Sequence, residues 1–195
     1  MELPVSSSAV EKMLGLLDLL HKWNKVYNLT SVRSKQDMLS VHLFDSLSVA
    51  RFLKGNHILD IGTGAGFPGL PLAILNPERC FYLLDSNGKK TRFVQQAVID
   101  LGLTNVKVFN DRIENFTCDV GIDTFVTRAF ASMVKSLDLT NHLVNNNSRF
   151  IFLKGPEITT ELTDLPVSLG VKSYDLSVPG LDAVRKALII DLINA

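Results

Sequence analysis

Residues 58–69 read Ile-Leu-Asp-Ile-Gly-Thr-Gly-Ala-Gly-Phe-Pro-Gly, an apolar run that breaks into glycines at 62, 64, 66 and 69. Glycines at this spacing let backbone approach a ligand, and a helix starting near Pro68 would offer free N–H groups to it. The next apolar run, Phe81-Tyr82-Leu83-Leu84, ends in Asp85. An acid at the tip of a second strand accepts hydrogen bonds from ribose hydroxyls. Strand, glycine turn, helix and acid-tipped strand together predict a nucleotide-cofactor pocket. Gly64-x-Gly66-x-x-Gly69 also satisfies a dinucleotide fingerprint, with Asp85 near the expected offset. That register starts too late, because the strand feeds directly into Gly62. Gly62-x-Gly64-x-Gly66 is therefore the turn. Asp60, inside the strand end, is expected on the cofactor side, where it suits a cationic cofactor and repels a pyrophosphate; its alternative is a buried acid satisfied by neighbouring backbone N–H groups.

The elements that must position these residues follow from periodicity. Val10, Met13, Leu16, Leu17, Leu20 and Trp23 mark one face of a helix over 8–28, with Ser8 and Glu11 as a capping box. A second helix is expected from about Lys35 to Phe52, capped by Ser34. Strands and helices then alternate: strands at 57–61, 81–85, 105–109, 122–127 and 149–154, helices after Pro68, over 88–101 and over 133–144. Residues 157–165 read as a weak helix or loop, and two last strands lie at about 171–178 and 185–193. Five βα alternations imply a parallel sheet with helices on both faces, and the final pair an antiparallel hairpin at one edge. The expected division is a helical extension over 1–54 and one α/β domain over 55–195.

Bulk properties exclude several classes. The 195 residues suit one domain with a small accessory element. No apolar run approaches the length of a membrane span, and the N-terminus shows no signal-peptide pattern. Cys80 and Cys118 lack zinc or redox spacing, and the four histidines form no metal pattern, so no metal is expected and a reduced cytoplasm is. The net charge is zero, which leaves a nucleic-acid partner open.

Asp60-x-Gly62-x-Gly64-x-Gly66 after the first strand resembles motif I of class I S-adenosylmethionine-dependent methyltransferases. The resemblance implies S-adenosylmethionine as cofactor and a Rossmann-like, seven-stranded, mostly parallel sheet. Ligands of such sheets bind at the carboxyl ends of strands. The fourth strand ends in Thr127-Arg128-Ala129-Phe130, unlike the Asp/Asn-Pro-Pro-aromatic run of enzymes that methylate exocyclic amines. Neither cysteine is placed to be the nucleophile of a cytosine C5 enzyme. An acceptor that is already nucleophilic fits, such as guanine N7, whose lone pair carries no proton. Arg128 is expected as the catalytic residue, a planar cation holding the cofactor carboxylate or the phosphate or O6 edge of the acceptor. Its alternative is a structural ion pair to Asp85 or Asp45. His42 and Asp45, three residues apart on the second helix, read more readily as a packing pair than as a catalytic one. Lys22, Lys25, Arg33 and Lys35, interleaved with Trp23 and Tyr27, are expected to face RNA, as is Lys154.

Lys22-Trp-Asn-Lys-x-Tyr-Asn-Leu-Thr-Ser-Val-Arg33 and His42-x-x-Asp45-Ser46 closely resemble the bacterial glucose-inhibited division protein B family. So do Leu59 to Gly69, Leu84-Asp85-Ser86, Lys89-Lys90, Arg128-Ala-Phe-Ala-Ser132 and Leu153-Lys154-Gly155. The resemblance covers nearly the whole chain. It implies methylation of guanine N7 in the 530 loop of 16S ribosomal RNA. It places Gly62, Phe67, Ile113, Glu114 and Arg128 at the cofactor, to which the residue pattern adds Gly64, Gly66 and Asp85. The small ribosomal subunit would be the partner, and the chain a cytoplasmic monomer. The competing expectations are a small-molecule methyltransferase and a non-catalytic nucleotide-binding regulator. The C-terminus, Asp-Leu-Ile-Asn-Ala, carries fewer lysines than the family pattern, although Arg185 and Lys186 are present.

Overall fold

The computed structural model describes residues 5–156, 161–162, 164–166 and 169–192. Seven strands form one sheet: β1 (His57–Ile61), β2 (Cys80–Asp85), β3 (Val106–Asn110), β4 (Thr124–Arg128), β5 (Arg149–Lys154), β6 (Lys172–Leu176) and β7 (Arg185–Asp191). Their order is β3-β2-β1-β4-β5-β7-β6. The first five run parallel, and β7 enters antiparallel between β5 and β6. The expected sheet and its closing antiparallel pair are both present. The order reverses beside β1, so the ends of β1 and β4 diverge there and open a crevice at their carboxyl ends.

Helices cover both faces. α1 (Ser7–Tyr27) packs on the side of α4 (Gly69–Leu75) and α5 (Gly88–Asp100), while α6 (Met133–Thr140) lies on the other. Met13, Leu16 and Leu20 of α1 share one buried cluster with Ile58, Phe81 and Val126 of the sheet. The N-terminal helix therefore has no core of its own. Its N-cap is Ser6, which accepts from Ala9 N at 3.2 Å, rather than Ser8 with Glu11. Three successive serines allow any of them to cap, and Ser6 does so one turn ahead of the first buried residues, Ala9 and Met13.

The second helix departs further from expectation. It is broken into α2 (Lys35–Met38), a π-helical stretch (Leu39–Phe44), α3 (Asp45–Leu47) and a 3₁₀ turn (Ala50–Phe52). His42, Asp45 and Ser46 of this segment are buried on the same side as Met38 and Val49. Such π bulges recur at functional sites. The weak helix expected over 157–165 and the last residues of the final strand fall partly outside the described residues.

Candidate active site

The carboxyl ends of β1, β2, β3 and β4 enclose a cleft of about 330 Å³. Gly62, Asp85, Ile113 and Glu114 line it together, joined by Lys90, Asp111, Arg112, Ala129 and Phe130. Gly62 has φ 66°, and a Cβ there would lie 2.7 Å from the Phe130 ring, so only glycine admits that ring beside the turn. A Cβ on Gly64 would meet nothing closer than Lys90 Nζ at 3.9 Å, so this backbone is free to meet a ligand. Asp85 fixes the opening: Oδ2 accepts from Gly64 N and Oδ1 from Asn87 N, each at 2.8 Å. The remaining lone pairs of its half-exposed carboxylate can accept ribose hydroxyls, and Ile113, 3% exposed, gives an apolar wall for a base. These features fit an adenosyl group.

Gly66 and Phe67 stand behind the cleft. A Cβ on Gly66 would meet Leu70 at 2.3 Å, and buried Phe67 stacks on His42 with ring centroids 5.0 Å apart. Both shape the turn without lining the cleft. Asp60 is corrected. It is fully buried, and its Oδ2 accepts from Thr63 Oγ1 at 2.6 Å and Gly69 N at 2.8 Å. The carboxylate thus satisfies one N–H at the start of α4, the buried-acid alternative rather than the cofactor-side one.

Burial raises the Asp60 pKa to about 6, opposed by the Thr63 and Gly69 hydrogen bonds. Burial, with the Arg128 charge, lowers that of His42 to about 4. Unfolding therefore takes up a proton at His42 between about pH 6.5 and 4, and its contribution to stability is lost as pH falls through that window. Folding takes up a proton at Asp60 between about pH 4 and 6, so its contribution is lost as pH rises. At about 1.4 kcal/mol per pKa unit each amounts to about 3 kcal/mol, and the two nearly offset. Asp60→Asn should accordingly gain on the parent by up to about 3 kcal/mol between pH 4 and 7, measured by denaturant unfolding. A pH-independent difference would show that Asp60 does not titrate there.

A second cleft, of about 320 Å³, adjoins the first and shares Ala129 with it. Val41, His42, Asp45, Arg128, Lys154 and Arg185 line it. Arg128 thus lies in this neighbouring cleft rather than in the nucleotide-shaped one. Its Nη1 donates to Val41 O at 2.8 Å and to Asp45 Oδ2 at 3.0 Å, and its Nη2 lies 3.3 Å from His42 Nδ1. The π turn makes this possible: Asp45 N–H bonds to Ser40 O and His42 O, not to Val41 O. A guanidinium has no acceptor, so His42 Nδ1 must be unprotonated. The ring proton is then on Nε2, 2.9 Å from Thr30 Oγ1. Arg128 keeps two donors, Nε–H and one Nη2–H, for a ligand. The ion pair to Asp45 was legible as an alternative; the one to Asp85 does not form.

Asn24 and Thr30 explain the Trp-Asn-Lys motif. The Asn24 side chain, 2% exposed, accepts from Thr30 N and donates to Val32 O, which carries the chain from α1 back towards His42. Trp23 packs edge-on against Phe93. Lys22, Lys25 and Arg33 are exposed, while Lys35, also exposed, pairs with Asp18. Lys154 is largely buried and bonds to Glu161 and to Ala131 O. Neither Arg185 beside Asp45 nor Glu161 beside Lys154 was visible in the sequence, since no local spacing relates them. Among the described residues no three His, Cys, Asp or Glu side chains could hold a metal.

The strand order, the glycine turn after β1 and the acid at the tip of β2 define a class I methyltransferase fold, whose methyl donor is S-adenosylmethionine. A structure of TrmK from M. capricolum in complex with S-adenosyl-homocysteine has a TM-score of 0.61 and 20% identity, covering 76% of this chain and 68% of that one. The family model described as rRNA small subunit methyltransferase G matches residues 9–189, and the chain belongs to that family. It is 45% identical over 190 residues to the ribosomal RNA small subunit methyltransferase G of Idiomarina loihiensis, covering 97% of this chain and 92% of the relative. To its counterpart in Methylococcus capsulatus it is 47% identical over 175 residues, covering 90% and 85%.

Proposed function

We propose that this chain transfers the methyl group of S-adenosylmethionine to N7 of a guanine in the 530 loop of 16S ribosomal RNA. One observation carries the acceptor chemistry. The imidazole of the second cleft has both nitrogens engaged, by Arg128 and by Thr30, and the Asp45 carboxylate faces two arginines. Neither group is free to remove a proton. Guanine N7 needs no base, because its lone pair is available in the neutral nucleobase. Bound S-adenosylmethionine supplies an electrophilic methyl carbon. Asp85 takes the ribose hydroxyls, Ile113 and Glu114 flank the adenine, and Gly62 and Gly64 let the backbone approach. Arg128, with two donors left, orients the acceptor or the cofactor carboxylate at the shared wall of Ala129. Alignment of this kind is a sufficient source of rate when no proton must move.

Exposed Lys22, Lys25 and Arg33 dock RNA in this scheme, with Lys35 and Lys154 in lesser parts because each already has a carboxylate partner. The partner is ribosomal RNA of the small subunit, met by a monomer in the cytoplasm. No helix among the described residues is long and apolar enough to cross a membrane. The decisive experiment incubates the purified chain with S-adenosylmethionine and 16S ribosomal RNA or small subunits from a strain lacking the enzyme. Mass-spectrometric mapping should find one 7-methylguanosine, in the 530 loop. Cofactor binding with no methylation would favour a regulator. Replacing Lys22, Lys25, Arg33 and Lys35 by glutamine should raise KM for RNA by about tenfold at low salt and less at high salt, because fewer counterions are released. An unchanged KM would make the cluster an ordinary solvated face.

A further inference from the structure

Asp45 holds two arginines from two strands. Its carboxylate is 2% exposed; Oδ2 lies 3.0 Å from Arg128 Nη1 and Oδ1 lies 3.2 Å from Arg185 Nε. The second contact is an ion pair rather than a well-directed hydrogen bond, since Oδ1 has no partner of hydrogen-bonding geometry. A buried ion triad contributes little net stability compared with apolar packing, so stability alone does not account for it. One carboxylate between two guanidiniums leaves a surplus positive charge at the floor of the cleft. The cations next to this cleft are matched one to one: Lys154 by Glu161 and Lys186 by Asp175. Arg128 and Arg185 remain partly exposed, at 21% and 23% of their side chains, and both face the cleft beside Ala129. Both have N–H donors unused by Asp45.

Guanidinium forks match phosphate oxygens in charge and spacing. We propose that Arg128 and Arg185, set apart by Asp45, form a seat for one backbone phosphate of the acceptor RNA. Arg185 is then an RNA-binding residue, and Asp45 a positioning residue that aims both guanidiniums. A phosphate held here would bring the adjoining nucleotide to the wall shared with the nucleotide-shaped cleft. The proposal rests on the ribosomal RNA reading for the origin of the phosphate, but the seat itself can be tested without turnover.

The first measurement follows the arginine Nε–Hε resonances of the full chain during titration with sodium phosphate, against sodium chloride at equal ionic strength. Arg128 and Arg185 should shift saturably with phosphate only, and the Arg128 shift should vanish in Arg185→Gln. The second is steady-state methylation. Arg185→Gln should raise KM for the RNA about tenfold, leave cofactor affinity unchanged and keep kcat at saturating RNA, with a lower melting temperature because Asp45 loses one of its two cations. Its plot of log KM against log salt should be shallower by about 0.7, one lost single-strand phosphate contact. Asp45→Asn should raise KM as well, and adding Arg185→Gln to it should cost little more, since both changes empty one seat. If Asp45→Asn does not fold, Arg185→Gln and the phosphate titration still decide. No phosphate-specific shift in the parent, or a parental KM and salt slope in Arg185→Gln, would overturn the seat. A parent that shifts with phosphate yet leaves 16S ribosomal RNA unmethylated would instead remove the proposed substrate.

Discussion

Arg128→Lys is expected to slow single-turnover methylation by about 10- to 100-fold while costing only about 1–2 kcal/mol of stability. Lysine preserves the charge opposite Asp45. It cannot reach Val41 O, Asp45 Oδ2 and the His42 ring at once from one ammonium, so the fork that orients the remaining donors is lost. Arg128→Ala should cost more on both counts. Rate should fall by about 10²–10³, the scale of losing a fixed transition-state donor. Stability should fall by about 3 kcal/mol or more, because a buried carboxylate loses its closer partner and keeps only Arg185. The His42 pKa should rise in that variant, since the adjacent guanidinium is one cause of its depression. The comparison is rapid-quench methylation beside thermal unfolding, with the imidazole titration followed by NMR. Parental rates in both variants would make Arg128 a purely structural residue.

Asp85→Ala should weaken S-adenosylmethionine binding by about 1.5–3 kcal/mol, or roughly 10- to 150-fold, the range for hydrogen bonds to a charged acceptor. The upper end is expected, because Asp85 does two jobs. It faces the cleft, and it also accepts from Gly64 N and Asn87 N, which hold the glycine turn and the N-cap of α5. Removing it frees two backbone N–H groups at the mouth of the site. Asp85→Asn can still accept one of them through its amide oxygen and should lose less. Calorimetry with S-adenosylmethionine and, as control, NAD makes the comparison. Undiminished affinity in Asp85→Ala would mean that this carboxylate does not bind the ribose.

The sequence by itself determined the architecture and pointed to the strand ends that line the nucleotide-shaped cleft. Five apolar strands alternating with helices leave little choice but a parallel sheet, and the two last strands without a helix between them had to pair antiparallel. Gly62 and Asp85 line the cleft because one follows and the other ends a strand, and strand ends converge by topology; Ile113 and Glu114, in the turn after β3, were assigned by the family resemblance. Only the tertiary structure decided the rest. Asp60, two residues before Gly62, is instead held inward by hydrogen bonds from Thr63 Oγ1 and from Gly69 N at the start of α4. His42 and Asp45 looked like a packing pair on a helix. In the structure they face inward, where they meet an arginine from β4 and, at Asp45, one from β7. Such encounters join residues 83 and 140 positions apart. No periodicity encodes them, because they arise only when separately formed elements close on one another and a buried carboxylate has to find its cations.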